Sequence, residues 1–443
     1  MQHRARLALY EIQPVLRNKI RNWMERVGHE VLFEGPLNDK TARPDADIWI
    51  VKWTYALKAD LLDVIHPKRG IISLTAGTDH IDKATIKKHG LLLDNCASSP
   101  SISVAEHALA LAFAAIIKPS DLSSNSNDSL IFRDCSMVDA DAIVGNMLIH
   151  VRNLENAILR AKKYDYARRD ISWSNPEITG SKVTFVGNDK RSSELARILS
   201  LGFNCELFGI NACEELHAFG ISETNMSHAV SNSNYIFVFN DAFSQMRQFS
   251  ISCEDIYVPE KKFIGSKVGV IGAGRIGSFI AKIAKLGFRC DVVAFDNNTS
   301  GALEGIGVKY VNGLSEAISD RDFLFITIPF TKSTEMLIDK NILSEIKTQD
   351  QVIVNVSRDE VIDSRTILSL LDQGRVLRYA SDVVPEEKRL ISKEEPSEHA
   401  KALLEHPGVI IVPHEGEASA GTILRAVRES LGKVERMLGD TYM

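Results

Sequence analysis

KVGVIGAGRIGSFIAKIAKLGFRCDVVAFD, residues 267–296, sets out a strand, a turn, a helix and a second strand in succession. Lys267–Ile271 is a short apolar run suited to a buried strand, and Gly272, Gly274 and Gly277 follow in G-x-G-x-x-G spacing. Ile280, Ile283 and Ala284 recur at helical spacing up to Gly287, and Val292–Phe295 makes the next strand. The three glycines serve different ends. Gly272 permits the tight turn, Gly274 offers no Cβ to an approaching pyrophosphate, and Gly277 lets the helix lie close on the strand. The amides at the helix start, with the positive end of its dipole, face the phosphates. Asp296, nineteen residues beyond Gly277, can accept bonds from the adenosine ribose hydroxyls and would repel a 2′-phosphate, which favours NAD over NADP. The stretch predicts a dinucleotide-binding βαβ unit.

Outward from it, the chain repeats itself. Gly180-Ser-Lys-Val recurs as Gly265-Ser-Lys-Val, an offset of 85 that also maps Gly187 on Gly272, Leu201-Gly202-Phe203 on Leu286-Gly287-Phe288 and Cys205 on Cys290. After a three-residue slip, Tyr235–Phe239 falls on Phe323–Thr327. The earlier copy carries Asp189 at the place of Gly274, Ser192 at that of Gly277 and Asn211 at that of Asp296. A carboxylate facing a pyrophosphate is repulsive and the added side chains block its approach, so residues 180–264 are expected to fold as a degenerate Rossmann-like unit that binds no nucleotide.

Residues 1–117 alternate strands (Arg6–Tyr10, Glu30–Phe33, Ile48–Val51, Ile71–Leu74, Leu91–Asp94) with helices (Pro14–Val27, Ala59–Ile65), which predicts a parallel sheet covered on both faces. A long apolar helix follows at Ser103–Ile117, with Ser103 as N-cap and Glu106 three residues on. PSDLSSNSND, within the stretch 118–150 that breaks this pattern, reads as a loose loop, and Asn153–Lys163 as a helix. Later strands are Phe323–Ile328, Gln351–Val356, Val376–Asp382 and Val409–Val412, and Ala418–Leu438 closes the chain as an amphipathic helix. The expected fold is α/β: a flavodoxin-like domain at 1–117 completed by 418–443, a loop and linker at 118–179, the degenerate repeat at 180–264, and a Rossmann-type parallel-sheet NAD domain at 265–417.

Composition bounds the partners. Hydrophobic content of 44% with 25% charged residues describes a globular protein of more than one domain. A net charge of −6 without a basic run argues against nucleic acid or an anionic membrane as partner. The six cysteines are scattered without a C-x-x-C pair, which fits free thiols in a reducing, cytoplasmic setting and no metal site. The N-terminus lacks an apolar signal core, and the longest apolar run, Ala108–Ile117, is too short to span a bilayer.

Three polar groups follow strands of the later half: Arg358 after VIVNVS, Glu387 five residues past Asp382, and His414 after VIIVP. In open α/β sheets ligands bind at the carboxyl ends of strands, so these groups would converge beside a bound nicotinamide. Hydride transfer at an alcohol or carbonyl needs such a set. Histidine exchanges a proton near neutrality, a carboxylate behind it fixes its tautomer, and arginine grips a substrate carboxylate and polarises the neighbouring carbonyl.

On these residues the sequence resembles the D-isomer-specific 2-hydroxyacid dehydrogenases over about residues 45–117 and 265–443. The family pattern of Asn-x-x-Arg, Asp-Val-x-x-x-Glu and Pro-His is met by Asn355…Arg358, Asp382…Glu387 and Pro413-His414. TAGTDHID at Thr75–Asp82 is similar to the family's glycine loop, and SISVAEH at Ser101–His107 to the start of its interdomain helix. The resemblance implies NAD(H)-dependent interconversion of a small 2-oxo acid and its D-2-hydroxy acid. His414 would be the general acid/base, Glu387 its partner, and Arg358 the group that binds carboxylate and carbonyl. Ala76, Gly77 and Thr78 would offer amides to the substrate, with Lys52 near it. Arg275 and Ile276 would meet the pyrophosphate, and Thr327, Pro329, Thr331, Val356 and Asp382 would line the ribose and nicotinamide side. A homodimer is also implied. Asp359 and Glu360 depart from the family, which has glycine after the arginine, and they motivate a second reading as a catalytically impaired paralogue. A third reading is an NAD(H)-sensing regulatory scaffold of the same fold, with the 118–264 insertion as its partner surface.

Overall fold

The computed structural model describes residues 4–12, 14–38, 40–52, 57–75, 77–78, 80–117, 130–132, 139–152, 154–162, 177–187, 190–210, 214–239, 259–347, 349–391 and 394–439. The described residues of 4–101 and 417–439 form one compact unit, and those of 102–416 a second.

The first unit holds strands β1 (Arg6–Tyr10), β2 (Glu30–Gly35), β3 (Ile48–Val51), β4 (Gly70–Ser73) and β5 (Leu92–Asn95). They pair in the order β2-β1-β3-β4-β5, parallel throughout, which is the flavodoxin-like order. β3 and β4 are buried along their whole length, as strands covered on both faces must be. The helix Ala420–Gly439 belongs to this unit: Lys433 Nζ lies 2.6 Å from Asp94 Oδ1, and Arg425 Nε donates to Ser99 O at 2.7 Å.

The second unit has two sheets. One joins β6 (Leu130–Phe132), β7 (Lys182–Val186), β8 (Glu206–Ile210), β9 (Ser222–Glu223) and β10 (Tyr235–Val238) in the order β6-β10-β7-β8-β9. The other joins β11 (Lys267–Ile271), β12 (Asp291–Phe295), β13 (Lys309–Tyr310), β14 (Phe323–Ile326), β15 (Gln351–Asn355), β16 (Val376–Ser381) and β17 (Val409–Ile411). Its order, β13-β12-β11-β14-β15-β16-β17, is Rossmann-type, and all of its pairs are parallel. The run β9-β8-β7-β10 has the same order, strand for strand, as β13-β12-β11-β14. One apolar core runs through both sheets, from Phe185 and Phe237 to Val268 and Phe325.

Two expectations are corrected. The stretch 118–150 is not loop throughout, since Ala140–Val151 is a helix. PSDLSSNSND itself lies outside the described residues, as do Ala76, Asp189 and Asn211. In the helix ADAIVGNMLIHV, Ala140–Ile149 are mostly apolar, so the sequence lacks the polar stripe that marks a helical period. Ser103 is not the cap of the long apolar helix, which begins at Ser101 and runs to Ile116. Its hydroxyl donates instead to Gly416 O at 2.7 Å, and Glu106 accepts the amides of Ile178 (3.1 Å) and Thr179 (2.7 Å) rather than closing a capping box.

Candidate active site

Because every strand pair of the larger sheet is parallel, its carboxyl ends lie on one edge, with the switch point of the strand order between β11 and β14. The predicted residues emerge there. Gly272 follows β11 with φ +91°, a left-handed conformation that a side chain would strain. A Cβ at Gly277 would stand 1.9 Å from Gly272 O, so the helix Arg275–Lys282 approaches the turn as only glycine allows. A Cβ at Gly274 would meet nothing within 4 Å, and Gly274 and Arg275 are exposed. The turn therefore leaves open space beside free helix-start amides, the form a diphosphate requires. Ile276 is half-buried beside it. Asp296 directly follows β12, partly exposed, with Oδ1 accepting the amide of Asn298 at 2.9 Å. These residues fit a dinucleotide. After β14, Thr327 donates its hydroxyl to Ile271 O at 3.2 Å and so ties the loop to the glycine turn, while Pro329 and Thr331 are exposed.

The three chemical groups follow neighbouring strands. Arg358 comes three residues after β15, beyond the buried Val356. Its carbonyl is held by Asn355 Nδ2 at 3.1 Å, and its own Nη1 donates to Ser357 O at 2.8 Å. His414 comes three residues after β17 with φ +55°, a strained conformation for a histidine and one often kept at functional sites. Its Nδ1 lies 3.0 and 3.1 Å from the two Glu387 oxygens, so the carboxylate fixes the ring and assigns the Nδ1 proton. The structure thus brings Glu387 and His414 into contact across twenty-seven residues of sequence.

Asp382, at the end of β16, is buried and committed to the loop that carries His414. It accepts the amides of Glu415 (2.7 Å) and Gly416 (3.0 and 3.2 Å). Burial works against its charge, but His107 Nε2 at 3.1 Å and these amides hold its carboxyl below the usual range. A Cβ at Gly416 would come 2.6 Å from Asp382 Oδ2, which explains the glycine there. Two arginines that sequence reading missed also reach this loop. Buried Arg152 donates from Nη2 to Gly416 O at 2.8 Å, and Arg160 is ion-paired with Glu415. No motif marks them, since both come from the inserted segment and meet the loop only through folding.

In the first unit, Lys52 is buried and paired with Glu417 at 3.1 Å. Gly77 and Thr78 are partly exposed.

Asp359, beside Arg358, is the sharpest departure. Burial, then the charges of Glu360 and Glu386, raise its carboxyl to about 7, and Oδ1 has no hydrogen-bond partner among the described residues. The folded chain then keeps a proton that the unfolded chain loses at its ordinary value of 3.8, so stability falls as pH rises between these two values. Asp359→Asn is expected to raise Tm by a few degrees at about pH 8 and to change it little at about pH 4. Thermal scans across pH check this, and a loss of stability at the higher pH would refute it. The gain is on the order of 1 to 3 kcal/mol, since the side chain keeps partial solvent contact.

Among the described residues no helix is long and apolar enough to cross a membrane, and no cluster of three or more His, Cys, Asp or Glu could hold a metal ion.

Residues 239–416 match the family model for the D-isomer specific 2-hydroxyacid dehydrogenase NAD binding domain. The chain is 37% identical over 156 residues to 2-hydroxyacid dehydrogenase homolog 2 of Schizosaccharomyces pombe, covering 34% of this chain and 46% of that one. It is 31% identical over 183 residues to a D-lactate dehydrogenase of Lactobacillus delbrueckii subsp. bulgaricus, covering 39% and 54%. The chain thus spans about half the length of the curated relatives it matches. Among solved structures, D-lactate dehydrogenase from Aquifex aeolicus, complexed with NAD and lactic acid, superposes with a TM-score of 0.58 at 16% identity, covering 98% of this chain and 96% of that one. D-2-hydroxyisocaproate dehydrogenase does so with a TM-score of 0.59 at 15% identity, covering 99% and 98%. The family likeness is thus carried by the NAD binding domain at residues 239–416, and the solved structures add the fold.

Proposed function

We propose that this chain is an NAD(H)-dependent oxidoreductase that interconverts a small 2-oxo acid and its D-2-hydroxy acid. The observation that carries the reading is the Glu387–His414 pair, on the same parallel-sheet edge as the Gly272–Gly277 turn. Gly272, Gly274, Arg275, Ile276 and Gly277 would hold the cofactor's diphosphate, and Asp296 its adenosine ribose. Thr327, Pro329, Thr331 and Val356 would line the remainder. NADH, when bound, supplies the hydride. Arg358 takes the substrate carboxylate and draws electron density from the carbonyl oxygen. His414, protonated and braced through Nδ1 by Glu387, gives a proton from Nε2 to that oxygen; in the reverse direction it takes the proton back. Asp382 acts through the loop, by fixing the backbone that presents His414. Lys52, Ala76, Gly77 and Thr78 are the first unit's candidates for the substrate.

NADH oxidation with glyoxylate, hydroxypyruvate, pyruvate and longer 2-oxo acids tests the reading. Turnover of at least one of them, absent in His414→Ala, is expected. NADH binding with no turnover of any would instead favour the NAD(H)-sensing scaffold or the impaired paralogue, for which Asp359 and Glu360 beside Arg358 are the motive.

A further inference from the structure

The two like-ordered half-sheets of the second unit face each other by equivalent residues. The π-helical turns Ile198–Gly202 and Ile283–Gly287, related by the offset of 85, pack together. A Cβ at Gly202 would lie 3.1 Å from Gly287 Cα and 3.6 Å from Ile283 Cγ2. A Cβ at Gly287 would lie 3.2 Å from Gly202 Cα and 3.6 Å from Ile198 Cγ2. Ile198 and Ile283 are themselves related by 85, so the contact is reciprocal: each residue meets the counterpart of the one that meets it. Arg197 adds a hydrogen bond across the seam to Leu286 O at 3.0 Å.

The same symmetry extends to the entrances of the half-sheets. Glu106 accepts the amides of Ile178 and Thr179, and Asp141 accepts those of Phe263 (3.0 Å) and Ile264 (3.4 Å). The two amide pairs again differ by 85. Cys205 Sγ points to Ile178 O at 3.3 Å and Cys290 Sγ to Phe263 O at 3.2 Å. The helix Ser101–Ile116 thus caps the earlier half, and Ala140–Val151 caps the later one. These helices meet where Gly145 touches Phe113, with a Cβ there only 2.4 Å from the ring.

Residue i meeting j while j meets i is the signature of a two-fold interface between identical subunits. Here it is realised within one chain. We propose that the described residues between 140 and 239 act as an internal second subunit. They occupy the self-complementary face of the later nucleotide-binding half and lend Arg152 and Arg160 to the loop that carries His414, so the chain is a monomer in solution. The homodimer implied by the family resemblance is replaced by a pairing inside the chain.

Light scattering on the size-exclusion peak, loaded at about 1 and about 100 µM with and without NADH, tests this independently of any turnover. A mass near 49.1 kDa at both loadings is expected, and a particle of twice that mass overturns the proposal. Thermal unfolding gives a second reading, since a dimer's Tm rises with protein concentration. Tm is expected to hold within about 1 °C over that hundredfold range, and a steady rise overturns the proposal.

Discussion

Replacement of His414 by alanine is expected to lower kcat for the best 2-oxo acid about 10³-fold, within the range general acid–base catalysis supplies. Its imidazole is the group that would pass the proton to the carbonyl oxygen, and alanine removes it together with its contact to Glu387. The fold should tolerate the change. The loop remains tied by Asp382 to the Glu415 and Gly416 amides. NADH affinity should stay within about twofold, because the diphosphate turn lies after a different strand. Steady-state kinetics with an NADH titration in parallel give the answer. Retention of a tenth or more of the activity would remove His414 from the chemistry, and parallel loss of NADH binding would assign it to the fold instead. Glu387→Gln should fall between, since glutamine can keep a hydrogen bond to Nδ1 but not the charge that stabilises the protonated ring.

Gly274→Ala is expected to weaken NADH binding at least about tenfold, roughly 1.4 kcal/mol, while Tm moves by no more than about 2 °C. Gly274 has φ −69°, outside the left-handed region, and an added Cβ meets no atom beyond its chain neighbours within 4 Å, so the folded apo chain should lose little. The methyl group would instead occupy the space a diphosphate needs. Gly277→Ala is the contrasting case. Its Cβ would clash with Gly272 O at 1.9 Å and Thr327 Oγ1 at 2.7 Å, so it should destabilise the protein by several kcal/mol with nucleotide present or absent. Differential scanning fluorimetry and NADH fluorescence titration separate the two. Unchanged NADH affinity in folded Gly274→Ala would mean that the turn does not carry the diphosphate.

The chain's own chemistry determined the strand–turn–helix at 267–296 and the succession of short buried strands. Both rest on local physics: glycine at φ +91°, continuous apolar runs for strands covered on both faces, and helical spacing beside them. It also pointed to Arg358, Glu387 and His414, because Arg358 and His414 come three residues after a strand and Glu387 six after one, and a parallel sheet gathers such ends on one edge. The sequence matches at an offset of 85 were legible too, although Asp189 and Asn211 lie outside the described residues. Only the tertiary structure decided the rest. The helix Ala140–Val151 has no polar face to betray its period, because most of its residues pack in the apolar core. Glu106 and Asp141 look like ordinary helix acids until folding brings them to amides 72 and 122 residues away. Arg152 and Arg160 reach the His414 loop across more than 250 residues of chain, a distance over which no local pattern carries information. Local rules fix what each segment can be. Which segments meet is set by burial and hydrogen-bond satisfaction of the whole chain at once.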